Sequence, residues 1–221
     1  MKPRGKPIKW SPEIAYAVGL ITTDGNLSPD GRHLSLISKD VPLLKTFKRC
    51  LGLKNKIGLR RSGYTGKKDC YNVQFGNIIL YKWLLKIGLM PNKTKIVGVL
   101  KIPNQYFFDF LRGHLDGDGC IRKYQDPVYP NSQRLYIKFY SASLKHIQWI
   151  QKKIQSLLKI KGSIRREGRE KRESSLTFAK RDSLNLLNYL YSAKNTPCLK
   201  RKFGIIKNLL ENKQAEVVKS G

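Results

Sequence analysis

Polar and apolar positions fall along the chain in two similar series. In the first, Ser11 suits a helix N-cap, Pro12 the first helical position and Glu13 the positive end of the helix dipole. Ile14, Ala17, Val18 and Ile21 then recur at helical spacing, and the run stops at Asp24-Gly25. A short strand over 26–28, a turn at Pro29-Asp30-Gly31 and a strand over 33–38 are expected next. Residues 41–51 read as a helix with Leu44, Phe47 and Leu51 inward. Residues 56–61 and 69–75 read as a hairpin across a Gly-rich connection, and 78–87 as a closing helix.

The second series repeats this order. Residues 107–117 form an apolar helix ending in Asp118-Gly119, followed by a strand over 135–141 and a helix over 144–158. A hairpin over 163–169 and 174–178 and a helix over 184–191 complete it. Both halves therefore read as helix–strand–strand–helix–strand–strand–helix, an α+β class in two αββαββα repeats. Local echoes support the repeat: 36–40 matches 139–143, and Met90-Pro91-Asn92-Lys93 matches the segment from Thr196-Pro197. The expected division is a basic tail (1–9), a first repeat (10–98), a linker (99–105), a second repeat (106–212) and a C-terminal tail (213–221). Two such halves related by a pseudo-twofold axis suit a roughly dyadic target such as duplex DNA.

Charge changes the picture further. Among 221 residues, 44 are Lys or Arg and 15 Asp or Glu, a net charge of +29. A catalyst for a neutral metabolite has no need of that excess, whereas a polyanion partner does. With 40% hydrophobic residues the chain is expected to build a core rather than remain a disordered basic tail. No stretch has the apolar length of a membrane span, and no apolar run follows the charges of residues 1–7, so an intracellular protein is expected. Cys50, Cys70, Cys120 and Cys198 show no CxxC spacing and do not pair with His33, His114 or His146 as a zinc finger would; reduced thiols are expected.

The two helix ends carry the candidate chemistry. Gly19 and Thr23, and likewise Gly113 and Gly117, lie four apart and share a helix face where small residues permit close helix approach. If the two helices pack face to face, Asp24 and Asp118 emerge side by side, an oxygen-ligand pair suited to Mg²⁺ whose shell phosphate oxygens would complete. A single Asp-Gly commonly just ends a helix; two copies at matching places in a repeat need another account, because an acid at the negative end of a helix dipole is locally unfavourable. Asp116 is expected to be structural or supporting, since two residues along a helix turn it about 200° from Asp118.

These segments resemble the paired motifs of the LAGLIDADG homing endonucleases. The second copy matches at Leu111, Gly113, Asp116, Asp118 and Gly119, and the first at Gly19, Leu20, Ile21, Asp24 and Gly25. The first copy departs at Thr22, where the family has Asp. The resemblance spans nearly the whole chain and fits the single-chain, two-repeat members. It implies a monomeric, metal-dependent enzyme that cuts both strands of a long, imperfectly symmetric site across the minor groove, leaving short 3′ extensions and promoting mobility of its own intron or gene. It further implies Asp24 and Asp118 as metal ligands beside Gly25 and Gly119, Mg²⁺ as the metal, Mn²⁺ as a substitute, and Ca²⁺ as supporting binding without cleavage. By the same resemblance, Lys93 and Lys202, with Lys200 as the alternative, are expected to order water at the cut phosphate.

The strand regions are expected to meet DNA. Basic residues cluster around each hairpin: Lys56, Arg60 and Arg61 in the first, and Arg165, Arg166, Arg169, Lys171 and Arg172 in the second. Arg60, Arg165 and Arg169 suit guanine and Asn72 and Gln74 adenine, while Asn26, Ser28, Arg32, Arg122, Lys123 and Lys138 are expected on the same saddle. Glu167, Glu170 and Glu173 either pair with arginines or accept from cytosine. The competing readings are an intron RNA maturase or a non-cleaving DNA-binding regulator on the same scaffold, and a basic ribosomal or architectural protein. The repeat has no explanation in the last of these.

Overall fold

A computed structural model describes residues 6–61, 66–129, 133–168, 172–191 and 195–207. Helix α1 (Pro12–Thr23) starts where the Ser11 side chain accepts from the Ile14 amide at 3.2 Å. It is followed by β1 (Gly25–Leu27), β2 (His33–Ser38), α2 (Val41–Cys50), β3 (Gly58–Arg60), β4 (Cys70–Gly76) and α3 (Ile78–Ile87). Asn77 caps α3 through the Leu80 amide at 2.9 Å, and Gly88, at φ 106°, ends it in the left-handed region that favours glycine. The second half comprises α4 (Phe107–Asp118), β5 (Cys120–Gln125), β6 (Gln133–Ser141), α5 (Leu144–Leu158), β7 (Ser163–Glu167), β8 (Glu173–Phe178) and α6 (Lys180–Tyr191). Residues 200–207 add a further helix, α7. The expected helix over 184–191 thus begins earlier, the first hairpin is shorter than 56–61 suggests, and β5 and α7 lie where no element was marked out.

Each half forms a four-stranded antiparallel sheet with the same order, β1-β2-β4-β3 and β5-β6-β8-β7. Alternation sends Leu34 and Leu36 of β2, and Leu135, Ile137 and Phe139 of β6, into the core. Helices α2 and α3 cover one sheet and α5 and α6 the other, leaving each opposite face open. Between the halves, α1 packs along α4. Eight consecutive residues of α1, Ala15 to Thr22, are buried, and the stretch is correspondingly apolar on every side from Ala15 to Ile21. A Cβ on Gly19 would overlap the Phe110 carbonyl oxygen, and one on Gly113 the Tyr16 carbonyl oxygen. The two glycines bring the backbones together, with Gly113 facing the Cα of Gly19. Among the described residues no helix is long and apolar enough to cross a membrane.

Candidate active site and nucleic-acid interface

The seam sets the site. Asp24 is the C-cap residue of α1 and Asp118 the last residue of α4, so the close helix approach delivers both carboxylates to one end of the interface. The contact is tight there too: a Cβ on Gly117 would meet the Thr23 hydroxyl and lie 2.8 Å from an Asp24 carboxylate oxygen. Burial, followed by repulsion from Asp118, raises the Asp24 pKa to about 7. Asp118 is more open to solvent, and desolvation followed by the nearby Glu173 pushes its pKa up as well. Two carboxylates that resist ionising together are what a divalent cation would relieve. Among the described residues no three His, Cys, Asp or Glu side chains gather around one metal position. The donor set therefore fits a cation only if water or phosphate completes its shell.

A lysine closes each half of the site. Lys93 and Lys202 are both 6% exposed. The Lys93 ammonium donates to the Gly25 carbonyl. The Lys202 ammonium donates to the carbonyls of Leu115 at 2.5 Å, Asp116 at 3.1 Å and Gly119 at 2.8 Å. Carbonyls at a helix C-terminus carry partial negative charge, so cations are favoured there. Desolvation still dominates, lowering the Lys93 pKa to about 8 and that of Lys202 below its ordinary value, while the neighbouring carboxylates oppose the shift. The carbonyls of Gly25 and Gly119, expected among the metal ligands, are thus engaged by ammonium groups, and the carboxylates remain as the anionic donors. Lys200, the alternative to Lys202, is exposed.

Strand register decides which expected DNA contacts share a face, because residues directly opposite in an antiparallel pair point the same way. On the first sheet Asn26 lies opposite Ser35, Ser35 opposite Gln74, and Gly58 opposite Asn72, placing Asn26, Asn72, Gln74 and Arg60 on the open face. Ser28 bonds into the β1–β2 turn through its amide, Arg32 sits in that turn, and Lys56 and Arg61 flank β3 as exposed residues. On the second sheet Arg122 lies opposite Tyr136, and Lys138 opposite both Cys120 and Thr177; Ser175, in turn, lies opposite Arg165. Arg122, Tyr136, Lys138, Arg165 and Thr177 line a cleft of about 730 Å³ together with Tyr124 and Arg134.

Two expectations fail on this register. Lys123 lies opposite the core residue Leu135, and Arg166 opposite the buried Ser174, so both sit on the reverse face rather than the saddle. A one-residue step along a strand reverses the face, and charge alone does not reveal that. Arg172 is exposed at the mouth of β8, and Arg169 and Lys171, with Glu170, lie outside the described residues. Glu167 resolves into an ion pair with Lys138 at 2.8 Å and accepts from Ser175 at 2.7 Å. Glu173 instead faces the candidate active site, lining a cleft with Asp118, Thr94 and Tyr140. The sequence reading missed Arg134, Tyr136 and Tyr140; their alternation with Leu135, Ile137 and Phe139 was the available signal.

No protein-family model and no curated protein matches the sequence, so the likeness to known proteins is one of structure. The LAGLIDADG meganuclease I-AabMI, bound to uncleaved DNA, superposes with a TM-score of 0.62 at 13% identity over 94% of this chain and 92% of its own. I-SmaMI, bound to its uncleaved DNA target in the presence of calcium ions, gives 0.59 at 13% identity over 94% and 93%. The N-terminal LAGLIDADG domain of DUF199/WhiA gives 0.54 at 15% identity over 84% and 85%. The likeness is one of fold: two four-stranded antiparallel sheets with the same strand order give this chain the two-repeat LAGLIDADG fold of these structural neighbours.

Proposed function

We propose that the protein is a site-specific, divalent-metal-dependent endonuclease acting as a monomer on double-stranded DNA. The observation that carries this reading is the pairing of Asp24 and Asp118 at the helix seam, each accompanied by a buried lysine. The two open sheet faces, on a chain of net charge +29, would hold the duplex so that one phosphate of each strand reaches each carboxylate. Asp24 and Asp118 would hold Mg²⁺ with phosphate oxygens, and the metal would polarise the phosphate and stabilise the leaving oxygen. Lys93, with its pKa near 8, would exchange a proton with water at the cut phosphate, and Lys202 would do the same in the other half. That I-SmaMI is bound to an uncleaved DNA target in the presence of calcium ions supports the reading that Ca²⁺ here would allow binding without cutting.

The test is a cleavage selection. The protein and its Asp118→Asn variant are incubated with a long randomised duplex library and Mg²⁺, and new ends are sequenced. Staggered cuts at one recurrent long site, made only by the unmodified protein, are the expected result. Binding without cuts at any site overturns the endonuclease reading in favour of a regulator, or of a maturase if folded intron RNA is preferred over duplex.

A further inference from the structure

The two active-site lysines are held in different ways, and the difference begins at one motif position. Asp116 is 1% exposed, and its Oδ2 accepts from the Tyr16 hydroxyl at 2.8 Å and from the Leu199 amide at 2.6 Å. Leu199 is the residue from which α7 starts: its carbonyl accepts from the amides of Lys202 and Phe203, both at 3.0 Å. One turn on, the Lys202 ammonium returns to the C-terminal carbonyls of α4, the helix that carries Asp116. The connections form a closed loop from the Asp116 side chain through the Leu199 amide and the first turn of α7 to Lys202 and back. Arg112, one turn earlier on α4 and 2% exposed, donates to the carbonyls of Pro197, just before α7, at 2.8 Å and of Leu190 in α6 at 2.5 Å.

Among the described residues the first half has no such loop. Thr22 stands at the equivalent position of α1, and its hydroxyl is spent within the helix on the Val18 carbonyl at 2.7 Å. Lys93 lies in a single 3₁₀ turn, Lys93–Lys95, entered through Asn92 at φ 54°. No α1 side chain among the described residues has a hydrogen bond to that turn.

We infer that Asp116 is a positioning residue for Lys202, acting through the Leu199 amide, and that this device serves one of the two strand cuts and not the other. The consequence for cutting rests on the endonuclease reading; the positioning itself does not. A buried carboxylate with two donors is well suited to the task, because a lost bond leaves a desolvated group without a partner and the segment it held is released.

The experiment measures lysine accessibility first. The full-length protein and its Asp116→Ala variant are briefly acylated with an N-hydroxysuccinimide ester, and labelling at Lys202 and Lys93 is read by mass spectrometry. Loss of the buried bond from the Leu199 amide, along with that from Tyr16, predicts that Lys202 labels at least about tenfold faster in the variant while Lys93 is unchanged. Asp116→Asn, which keeps an acceptor for the Leu199 amide, should restore protection. Unchanged labelling, or an equal rise at both lysines, overturns the inference. If Asp116→Ala does not fold, an amide-to-ester replacement at Leu199, introduced by ligation at Cys198, removes the same bond and is judged by the same ratio. Strand-resolved cleavage of end-labelled duplex then reads the consequence: Asp116→Ala should accumulate a nick, one strand slowing about tenfold more than the other. A protein that cuts nothing, yet releases Lys202 in the variant, overturns the endonuclease reading alone. One that cuts both strands of the variant in the original ratio overturns the assignment to a single strand.

Discussion

The two motif helices superpose in role and differ in substance. Position by position, Ala15, Val18, Leu20 and Thr22 of α1 correspond to Asp109, Arg112, His114 and Asp116 of α4. One helix is mainly apolar along its buried stretch, Ala15 to Ile21. The other carries a buried polar network, including the Arg112–Asp109 ion pair at 2.5 Å, and a His114 ring stacked on His146 at 5.4 Å. What the helices share is Gly19 with Gly113, Asp24 with Asp118 and Gly25 with Gly119, the positions where backbones touch or the site is built. A repeat therefore tolerates wide divergence where a side chain only fills volume. It keeps glycine where the two backbones meet, at Gly19 and Gly113, and a carboxylate at the helix ends, whereas Thr23 and its counterpart Gly117 pair a hydroxyl with the absence of a Cβ. The sheets diverge similarly: amides dominate the open face of the first, arginine, lysine and tyrosine that of the second.

The largest expected effect tests what the halves share. Asp24→Asn and Asp118→Asn should each lower double-strand cutting by at least about a thousandfold, with DNA affinity in Ca²⁺ little changed. Unchanged cutting by either variant would show that the halves are not equivalent at the acids. Next, Gly19→Val and Gly113→Val should each destabilise the fold by more than about 3 kcal/mol in urea titration, because backbone on the facing helix has nowhere to move. A mild effect at one glycine alone would mean that the seam is looser on that side.

Acid should separate the halves. His146 is buried with its Nδ1 donating to the Gly98 carbonyl at 2.8 Å, and burial lowers its pKa to about 4. His114 is shifted the same way by burial, by His146 and by Lys202. In the unfolded chain a histidine binds its proton near pH 6.5, so stability from the neutral buried form is complete above that value. It is lost as pH falls from about 6.5 toward 4, by about 3 kcal/mol for His146. Thermal midpoints across that range should fall, His146→Phe should flatten the dependence, and hydrogen exchange should open α5 before α2. Smallest are the sheet contacts. Gln74→Ala and Arg165→Ala should each cost about 1–2 kcal/mol in binding and relax base preference in opposite half-sites. Lys123→Ala, on the reverse face, should change salt dependence slightly and specificity not at all; an equal specificity loss there would refute the register argument.

The legibility of the site in the sequence varied with the range of the interaction. Ser11 announced its helix because capping acts over three residues, and the strand over 33–38 and helices over 78–87 and 144–158 start and stop where periodicity places them. The helix seam was readable because spacing of four puts small residues on one face. Lys123 and Arg166 were misplaced because charge clustering carries no parity, and parity is set by pairing with another strand. Glu173 was open between pairing with arginines and accepting from cytosine, yet the fold carries it to Asp118, 55 positions away. Arg112 and Asp116 were visible as residues but not as a network, since their partners at Leu190, Pro197 and Leu199 are distant in sequence.

By itself, the amino-acid sequence determined the repeat, the order of elements, the basic character of the surface and the two acids at the helix ends. These follow from period, capping and composition, all local properties of a chain. The tertiary structure alone decided which face of each strand is open, how each lysine is held and that the two halves hold them differently. Those depend on register and on bonds spanning more than 60 residues, such as Lys93 to Gly25 and Lys202 to Gly119, which local sequence does not encode one by one.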